Sequence, residues 1–241
     1  MSNNIINLIT FIHLLISIIM AKYFFTLALM ACLALGAAAQ DENEGWGTLT
    51  LEWNPMTHHY TGKKSHDYYY YDYDYDNNMN GFSIGYTHAF PLSHSVPLFL
   101  EPGLLAQFTY YSKSYDDYYY SDYSDKYMMA SLKAPVNVLY KFTFPNSSIA
   151  LMPFAGLTVR GNLWGENKWE EGKESGSVNL FDKKKMGKDD VWKRVQVGWQ
   201  IGVKARFGQK FIVGGSYGTD FNEICRKYKF RTGTLMVGLI L

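Results

Sequence analysis

The sequence predicts an all-β fold, namely an eight-stranded antiparallel up-and-down transmembrane β-barrel with short periplasmic turns and long extracellular loops. Three observations support this prediction. Apolar and polar residues alternate with a period of two in eight segments, which is the periodicity of a β-strand. The connections between these segments are alternately short and long, as in barrels that span membranes. An apolar stretch near the N-terminus has the features of an export signal.

The clearest strand is residues 191–207, VWKRVQVGWQIGVKARF. Every second residue from Val195 to Phe207 is apolar, whereas the residues between them are glycines, amides and cations. A strand with one apolar and one polar face suits a wall between lipid and a polar interior.

The same alternation recurs in seven other segments, which are residues 46–54, 81–90, 98–110, 127–142, 149–163, 211–221 and 230–241. Alternate connections of an antiparallel meander lie at the same end, so the pattern of connections predicts that all long loops share one end. The long connections are residues 56–80, 111–126, 164–190 and 222–229. An even number of strands also places both termini at the short-turn end.

The polar residues of each strand are predicted to face the barrel interior. In a closed barrel of eight strands, the interior is just wide enough to be filled by side chains. The expected interior charges are Glu52, Glu101, Lys133, Lys141, Arg160, Arg194, Lys204, Arg206 and Asp220. They can pair as a polar plug, so we expect no open pore. A soluble barrel with inverted faces is the alternative, because alternation alone does not say which face is outside. The many cations and amides on one face disfavour a dry core.

Residues 1–39 are predicted to be a signal peptide, and residues 40–241 the barrel domain. Lys22, the apolar run 23–35 and the small residues before Gln40 have the three parts of such a signal, and we expect translation to begin at Met20. Without residues 1–39 the chain has 22 basic and 22 acidic residues, which argues against nucleic-acid binding. Cys225 is then the only cysteine, so an intrachain disulfide is excluded. We expect a monomer without a cofactor.

Several short motifs lie in the predicted strands. They are LFLEPGL at 98–104, LKAPVN at 132–137, PFAG at 153–156 and GWQIG at 198–202, and the signal ends in Ala-Ala-Ala-Gln. With these motifs the chain resembles the outer-membrane β-barrel domain (porin-like, PorT-like) proteins of Gram-negative bacteria. The resemblance implies a location in the outer membrane, in contact with its lipid and lipopolysaccharide. None of these motifs is catalytic.

Two of the long loops are rich in tyrosine and aspartate. The candidate surface-binding residues are Tyr69, Tyr71, Asp72, Tyr73, Asp74, Tyr75 and Asp76 in the first loop and Tyr118, Tyr119, Tyr120 and Tyr123 in the second. Tyrosine provides a large amphipathic contact area at low entropic cost. The loops therefore predict a non-enzymatic, structural or surface-binding protein that contacts a host or envelope protein or glycan. The alternative is a solvated low-complexity loop without a binding role.

Two other functions remain open at this point. The barrel could belong to an envelope secretion or assembly complex, or it could be an outer-membrane lipid-modifying enzyme that uses His58, His59, Ser112, Ser114 and Asp116. No spacing in the sequence joins a nucleophile to a base. The acidic repeat of the first loop resembles the start of a calcium loop, but the required glycine and twelfth acid are replaced by Asn77 and Ser83.

Overall fold

The computed structural model describes residues 45–61, 77–93, 95–115, 123–144 and 147–241. These residues belong to one compact unit, residues 43–241. The predicted signal peptide, residues 1–39, lies outside the described residues.

The described part of the chain contains ten strands and one short helical segment, which is kinked at Gly187, where φ is 82°. They are β1 (Trp46–Tyr60), β2 (Asn77–Pro91), β3 (Leu98–Tyr115), β4 (Tyr123–Tyr140), β5 (Phe142–Thr143), β6 (Ile149–Glu171), β7 (Glu174–Asn179), α1 (Lys183–Asp190), β8 (Val195–Phe207), β9 (Phe211–Asp220) and β10 (Tyr228–Ile240). In the residues that the structure describes, no helix is both long and apolar enough to cross a bilayer.

Eight of the strands form a closed antiparallel ring. The order is β1-β2-β3-β4-β6-β8-β9-β10, and β10 pairs with β1 to close it. The short strand β5 pairs with the start of β6, and β7 pairs with the end of β6 as a hairpin. Every pairing between neighbours in the ring is antiparallel. The predicted eight-stranded up-and-down barrel is therefore confirmed.

The alternate apolar residues of the strands face outward. In β8, Ile201 is 55% exposed, whereas Gln196 and Lys204 are buried. Leu51 in β1 and Leu235 in β10 are likewise more than half exposed. A water-soluble barrel would bury these side chains, so the inverted arrangement is excluded, and the exposed apolar belt is the surface that lipid covers.

The strands extend further at the long-loop end than the alternation predicts. The β3–β4 ladder continues to Tyr115 and Tyr123, and β6 reaches Glu171 before turning into β7. The prediction ended the fifth strand at residue 163 and left 164–190 as a loop. Both faces of these extensions carry polar residues, so backbone pairing continues where the apolar pattern has stopped.

The barrel interior consists of three layers. Eight buried apolar residues form a turn-end cluster, namely Trp46, Ala89, Phe99, Leu139, Met152, Phe154, Ile212 and Met236. A polar layer occupies the middle. Nine buried residues form a loop-end cluster, namely Met56, Met79, Tyr111, Met129, Leu180, Trp192, Ile224, Cys225 and Phe230. The polar layer thus lies between two apolar clusters, which the sequence analysis did not predict.

Candidate functional site

Three ion pairs hold the polar layer together. Lys133 Nζ lies 2.9 Å from Glu52 Oε2, and Arg160 Nη2 lies 2.6 Å from Asp220 Oδ2. Lys204 donates to Glu101 Oε1 as the third pair. All six side chains are less than a tenth exposed. Each pair joins strands that are not neighbours in the ring, so the pairs cross the lumen.

Two amide side chains extend the Glu101–Lys204 pair. Asn137 Nδ2 donates to Glu101 Oε1 over 3.1 Å, and Gln200 Nε2 donates to Asn137 Oδ1 over 2.6 Å. A cavity of about 30 Å³ lies beside Lys133 and Arg160, which is room for about one water molecule. The polar layer therefore seals the barrel rather than opening a channel.

Three of the charged residues that we expected inside lie elsewhere. Arg194 precedes β8 and is exposed, with its guanidinium 4.4 Å from the centre of the Phe181 ring. Lys141 and Arg206 are half-buried at the short-turn end, against the ring of Trp46. All three lie at or beyond strand ends, where the inward parity no longer points into an enclosed lumen.

A partly open pocket, which we call the loop-end pocket, lies against the loop-end cluster. Its volume is about 390 Å³. It is lined by His58, Met79, Tyr111, Tyr127, Lys185, Met186, Asp190, Trp192, Cys225 and Tyr228. Strands supply most of its aromatic side chains, α1 supplies the charged ones, and loops supply Trp192 and Cys225. The sequence analysis missed this pocket because its lining residues are scattered over the chain.

Inward-folded loops build one side of the loop-end pocket. The backbone amide of Trp192 donates to the carbonyl of Leu180 over 2.9 Å, and the amide of Lys193 donates to the carbonyl of Ile224 over 2.6 Å. Arg226 forms an ion pair with Asp189, so the β9–β10 connection is tied to α1. These bonds place Leu180, Trp192 and Ile224 inside the mouth of the barrel.

The aromatic rings of the pocket form a continuous wall. Tyr127 and Trp192 are parallel within 10°, with ring centroids 5.9 Å apart. His58 stacks on Tyr228 at 4.4 Å and lies 5.5 Å from Trp192. Tyr111 continues the wall at 5.7 Å from Tyr127. Because these rings contact one another, their orientations are fixed before a ligand arrives.

The thiol of Cys225 and the imidazole of His58 meet at the pocket floor. Cys225 Sγ lies 3.8 Å from His58 Nε2. Burial, with the nearby carboxylates of Asp190 and Glu223, raises the pKa of the Cys225 thiol to about 12. The thiol therefore keeps its proton at neutral pH, and a protonated thiol is a poor nucleophile. Within the described ranges, no three His, Cys, Asp or Glu side chains cluster to hold a metal ion.

Of the predicted surface-binding residues, Tyr123 falls in the described part of the chain. It is half-buried at the start of β4, opposite Tyr115 and Glu171 in the neighbouring strands. The remaining candidates, Tyr69, Tyr71, Asp72, Tyr73, Asp74, Tyr75, Asp76, Tyr118, Tyr119 and Tyr120, lie outside the described residues.

The chain is similar in fold to several solved outer-membrane proteins. The attachment invasion locus protein Ail of Yersinia pestis is 13% identical, with 82% of this chain and 99% of that chain covered and a TM-score of 0.40. Neisserial surface protein A is 12% identical, with coverage of 81% and 96% and a TM-score of 0.40. The outer membrane enzyme PagL is 11% identical, with coverage of 79% and 97% and a TM-score of 0.40.

No curated protein matches the chain. Residues 25–240 match the family described as outer membrane protein beta-barrel domain. This match spans most of the chain and includes every strand of the ring. The chain therefore belongs to the outer-membrane β-barrel domain family, and its location is the outer membrane.

Proposed function

We propose that the protein is a non-enzymatic surface-binding protein, which contacts a host or envelope protein or glycan through its Tyr- and Asp-rich extracellular loops. The observation that carries this proposal is the asymmetry of the two barrel ends. At the short-turn end, β8 and β9 are joined by three residues. At the long-loop end, β3, β4, β6 and β7 extend as a paired sheet beyond the predicted strand ends.

The extended strands give the tyrosine-rich loops a rigid base. Binding residues commonly occupy loops that a rigid scaffold positions. The segment 116–122 follows β3 and precedes β4 in the chain, and the ladder between these strands extends to Tyr115 and Tyr123. A loop on such a base loses less conformational entropy on binding than a loop on a free tether.

Support for a non-enzymatic role comes from the loop-end pocket. Its nucleophilic atom is the Cys225 thiol, and the raised pKa of that thiol opposes formation of the reactive thiolate. The neighbouring carboxylate of Asp190 disfavours the thiolate further by charge repulsion. An enzyme that used this thiol as its nucleophile would need the opposite arrangement, with a cation or a helix N-terminus beside the sulfur.

The test is whole-cell binding to host glycans and matrix proteins after deletion of residues 67–76. We expect binding to be lost while the amount of barrel at the cell surface is unchanged. Two substitution variants separate the contributions of the loop: Tyr69, Tyr71, Tyr73 and Tyr75 changed to Ser, and Asp72, Asp74 and Asp76 changed to Asn. Undiminished binding by the deletion variant would overturn the adhesive role.

Lipid mass spectrometry of a deletion strain tests the non-enzymatic part of the proposal. We expect the acylation profile of lipid A to be unchanged when the gene is removed. An altered profile that the intact gene restores would identify a lipid-modifying enzyme instead. Crosslinking in intact envelopes tests for a secretion or assembly complex, since a stable set of partners would favour that alternative.

A further inference from the structure

We propose that the loop-end pocket binds a single pyranose ring of a glycan, with the C–H face of the sugar against the aromatic wall and its hydroxyls toward α1. This inference rests on the proposed surface-binding function and adds the ligand class and the residues that recognise it.

The size of the pocket selects a small ring. Its volume of about 390 Å³ lies at the lower end of the range for small-molecule sites, roughly 300–1,000 Å³. A pyranose with its first hydration shell fits such a space, whereas a folded peptide segment does not. The side of the pocket toward the lumen is closed by Met129 and Phe230, both fully buried.

The aromatic wall provides the apolar part of the recognition. The faces of aromatic rings carry partial negative charge, which attracts polarised C–H groups. Tyr111 and Tyr127 are direct cross-strand partners, so their rings are held by the β3–β4 ladder. His58 lies in β1 and stacks on Tyr228 of the adjacent strand β10. Fixed rings reduce the entropic cost of binding a rigid ligand.

The rim of the pocket provides the polar part. Lys185 and Asp190 are exposed side chains of α1 that line the pocket together. An ammonium group donates hydrogen bonds, and a carboxylate accepts them. Neighbouring sugar hydroxyls both donate and accept, so they can use the two groups at once.

The mixed charge of the rim argues against other ligand classes. An anion such as a phosphate would be attracted by Lys185 but repelled by Asp190. A cation would be attracted by Asp190 but repelled by Lys185. An acyl chain would remove the Asp190 carboxylate from water without giving it a hydrogen bond, which is costly. A neutral polyhydroxylated ring with one apolar face satisfies both the wall and the rim.

The sugar could be supplied by a host glycan or by the outer sugars of lipopolysaccharide in the same membrane. Both present the same ring chemistry to the pocket. The experiment therefore uses free galactose, glucose and N-acetylglucosamine first, and then purified lipopolysaccharide and free glycan chains in separate arms. Binding in either arm supports the proposal and identifies the source.

The test is saturation-transfer NMR on the refolded full-length mature barrel in detergent, with each free sugar at millimolar concentration. We expect transfer to the ring protons of at least one sugar. Met186→Trp should abolish this transfer, because Met186 is half-buried in the pocket and the larger ring fills the space. Lys183→Trp is the matched control, since Lys183 is exposed on the same helix and does not line the pocket. Gel mobility without boiling confirms that each variant is folded.

Absence of transfer from the intact barrel to all three sugars would overturn the proposal, as would equal transfer from the Met186→Trp variant. Lys185→Met combined with Asp190→Asn provides a second measurement that leaves the packing of the pocket unchanged. We expect the double variant to reduce sugar affinity by roughly tenfold or more, since the Lys185 donor is lost and the charged Asp190 acceptor is replaced by a weaker neutral amide. The deletion of residues 67–76 tests the proposed function separately. Lost cell binding in that variant, together with no sugar binding by the pocket, would retain the surface-binding role and reject the sugar site.

Discussion

The polar layer is built entirely from strand residues, whereas the loop-end cluster depends on residues that loops deliver. Glu101 and Lys204 belong to β3 and β8, and their positions are fixed by the ring of ladders. Leu180, Trp192 and Ile224 lie outside the strands and enter the barrel mouth through inward-folded connections. Both regions are buried, yet only the loop-end cluster includes residues outside the backbone ladder that closes the barrel.

This difference separates global stability from local order. A charge in the polar layer is enclosed by the barrel wall and the two apolar clusters, so water cannot easily replace a lost partner. A loop residue can withdraw into water while the barrel stays closed. We therefore expect substitutions in the polar layer to unfold the barrel, and substitutions of loop residues in the cluster to open the mouth. Four measurements test this contrast.

The largest effect is expected from breaking an ion pair in the polar layer. Glu101→Leu leaves the buried Lys204 ammonium without its carboxylate, and loss of one partner of a buried pair costs about 3–5 kcal/mol. We expect this decrease in the free energy of unfolding, measured by urea titration in lipid vesicles with gel mobility as the signal. The double variant Glu101→Leu, Lys204→Met removes both charges and should recover most of the loss. Equal stability of the single variant and the intact barrel would contradict the prediction.

A somewhat smaller effect is expected from a charge on the lipid-facing side of the same region. Ile201 is the middle residue of β8 and points outward. A lysine at the bilayer midplane of a barrel costs about 2–4 kcal/mol, so Ile201→Lys should lower the free energy of unfolding by that amount. Ser177→Lys is the control, because Ser177 is exposed on β7 in the hairpin above the barrel and a surface change there costs within about 0.5 kcal/mol. The same urea titration measures both.

The comparison is tested most directly by two leucines that are equally buried. Leu105 in β3 and Leu180 in the loop are both 0% exposed, and truncating a buried leucine to alanine costs about 2–5 kcal/mol. Leu105→Ala should lower the urea midpoint of the barrel. Leu180→Ala should instead open the segment 172–194 locally. We expect trypsin to cleave that segment at least roughly tenfold faster, since tenfold corresponds to about 1.4 kcal/mol.

The stabilities of the two leucine variants can also contradict the expected difference between strand and loop residues. Equal losses of barrel stability in Leu105→Ala and Leu180→Ala would mean that the loop-end cluster folds as one unit with the strands. Mass spectrometry of the tryptic fragments identifies the cleavage sites, which we expect at the lysines of α1, Lys183 and Lys184 among them.

The smallest effect concerns the reactivity of Cys225 rather than stability. The folded pKa of about 12 lies above the ordinary value of 9.0, so the thiol stays protonated until the pH rises towards the folded value. At about pH 8 this leaves roughly a thousandfold less thiolate than in the unfolded chain, and alkylation should slow accordingly. The measurement is the rate of iodoacetamide labelling in the presence and absence of urea. An exposed thiol introduced by Ser177→Cys in a Cys225→Ser background should react at nearly the same rate in both states.

The sequence predicted the ring well because alternation is a local property of each strand. The predicted end of the sixth strand at residue 207 is the observed end of β8. The alternation of short and long connections also gave the correct ends of the barrel. The charges that pair in the polar layer were all among the predicted interior residues, because inward parity could be counted along each strand.

Which charges pair could not be predicted from the sequence. Glu101 and Lys204 are 103 residues apart, and they meet only because the closed ring brings β3 and β8 to within three strand positions of each other. Their distance depends on the stagger of all the ladders between them. The positions of Lys141, Arg194 and Arg206 were misjudged for a related reason, because parity gives the direction of a side chain but not whether the barrel still encloses it.

The sequence by itself determined which residues form the barrel wall and which end carries the long loops, since these properties follow from period-two alternation and connection lengths. The cations and amides on one face indicated that the other face meets lipid. The tertiary structure alone decided how the loops return to the barrel mouth and assemble the loop-end pocket. A few apolar residues in a polar loop, such as Leu180 and Trp192, have no periodicity that marks them as buried. Their burial depends on the closed barrel, which provides the apolar space that they fill.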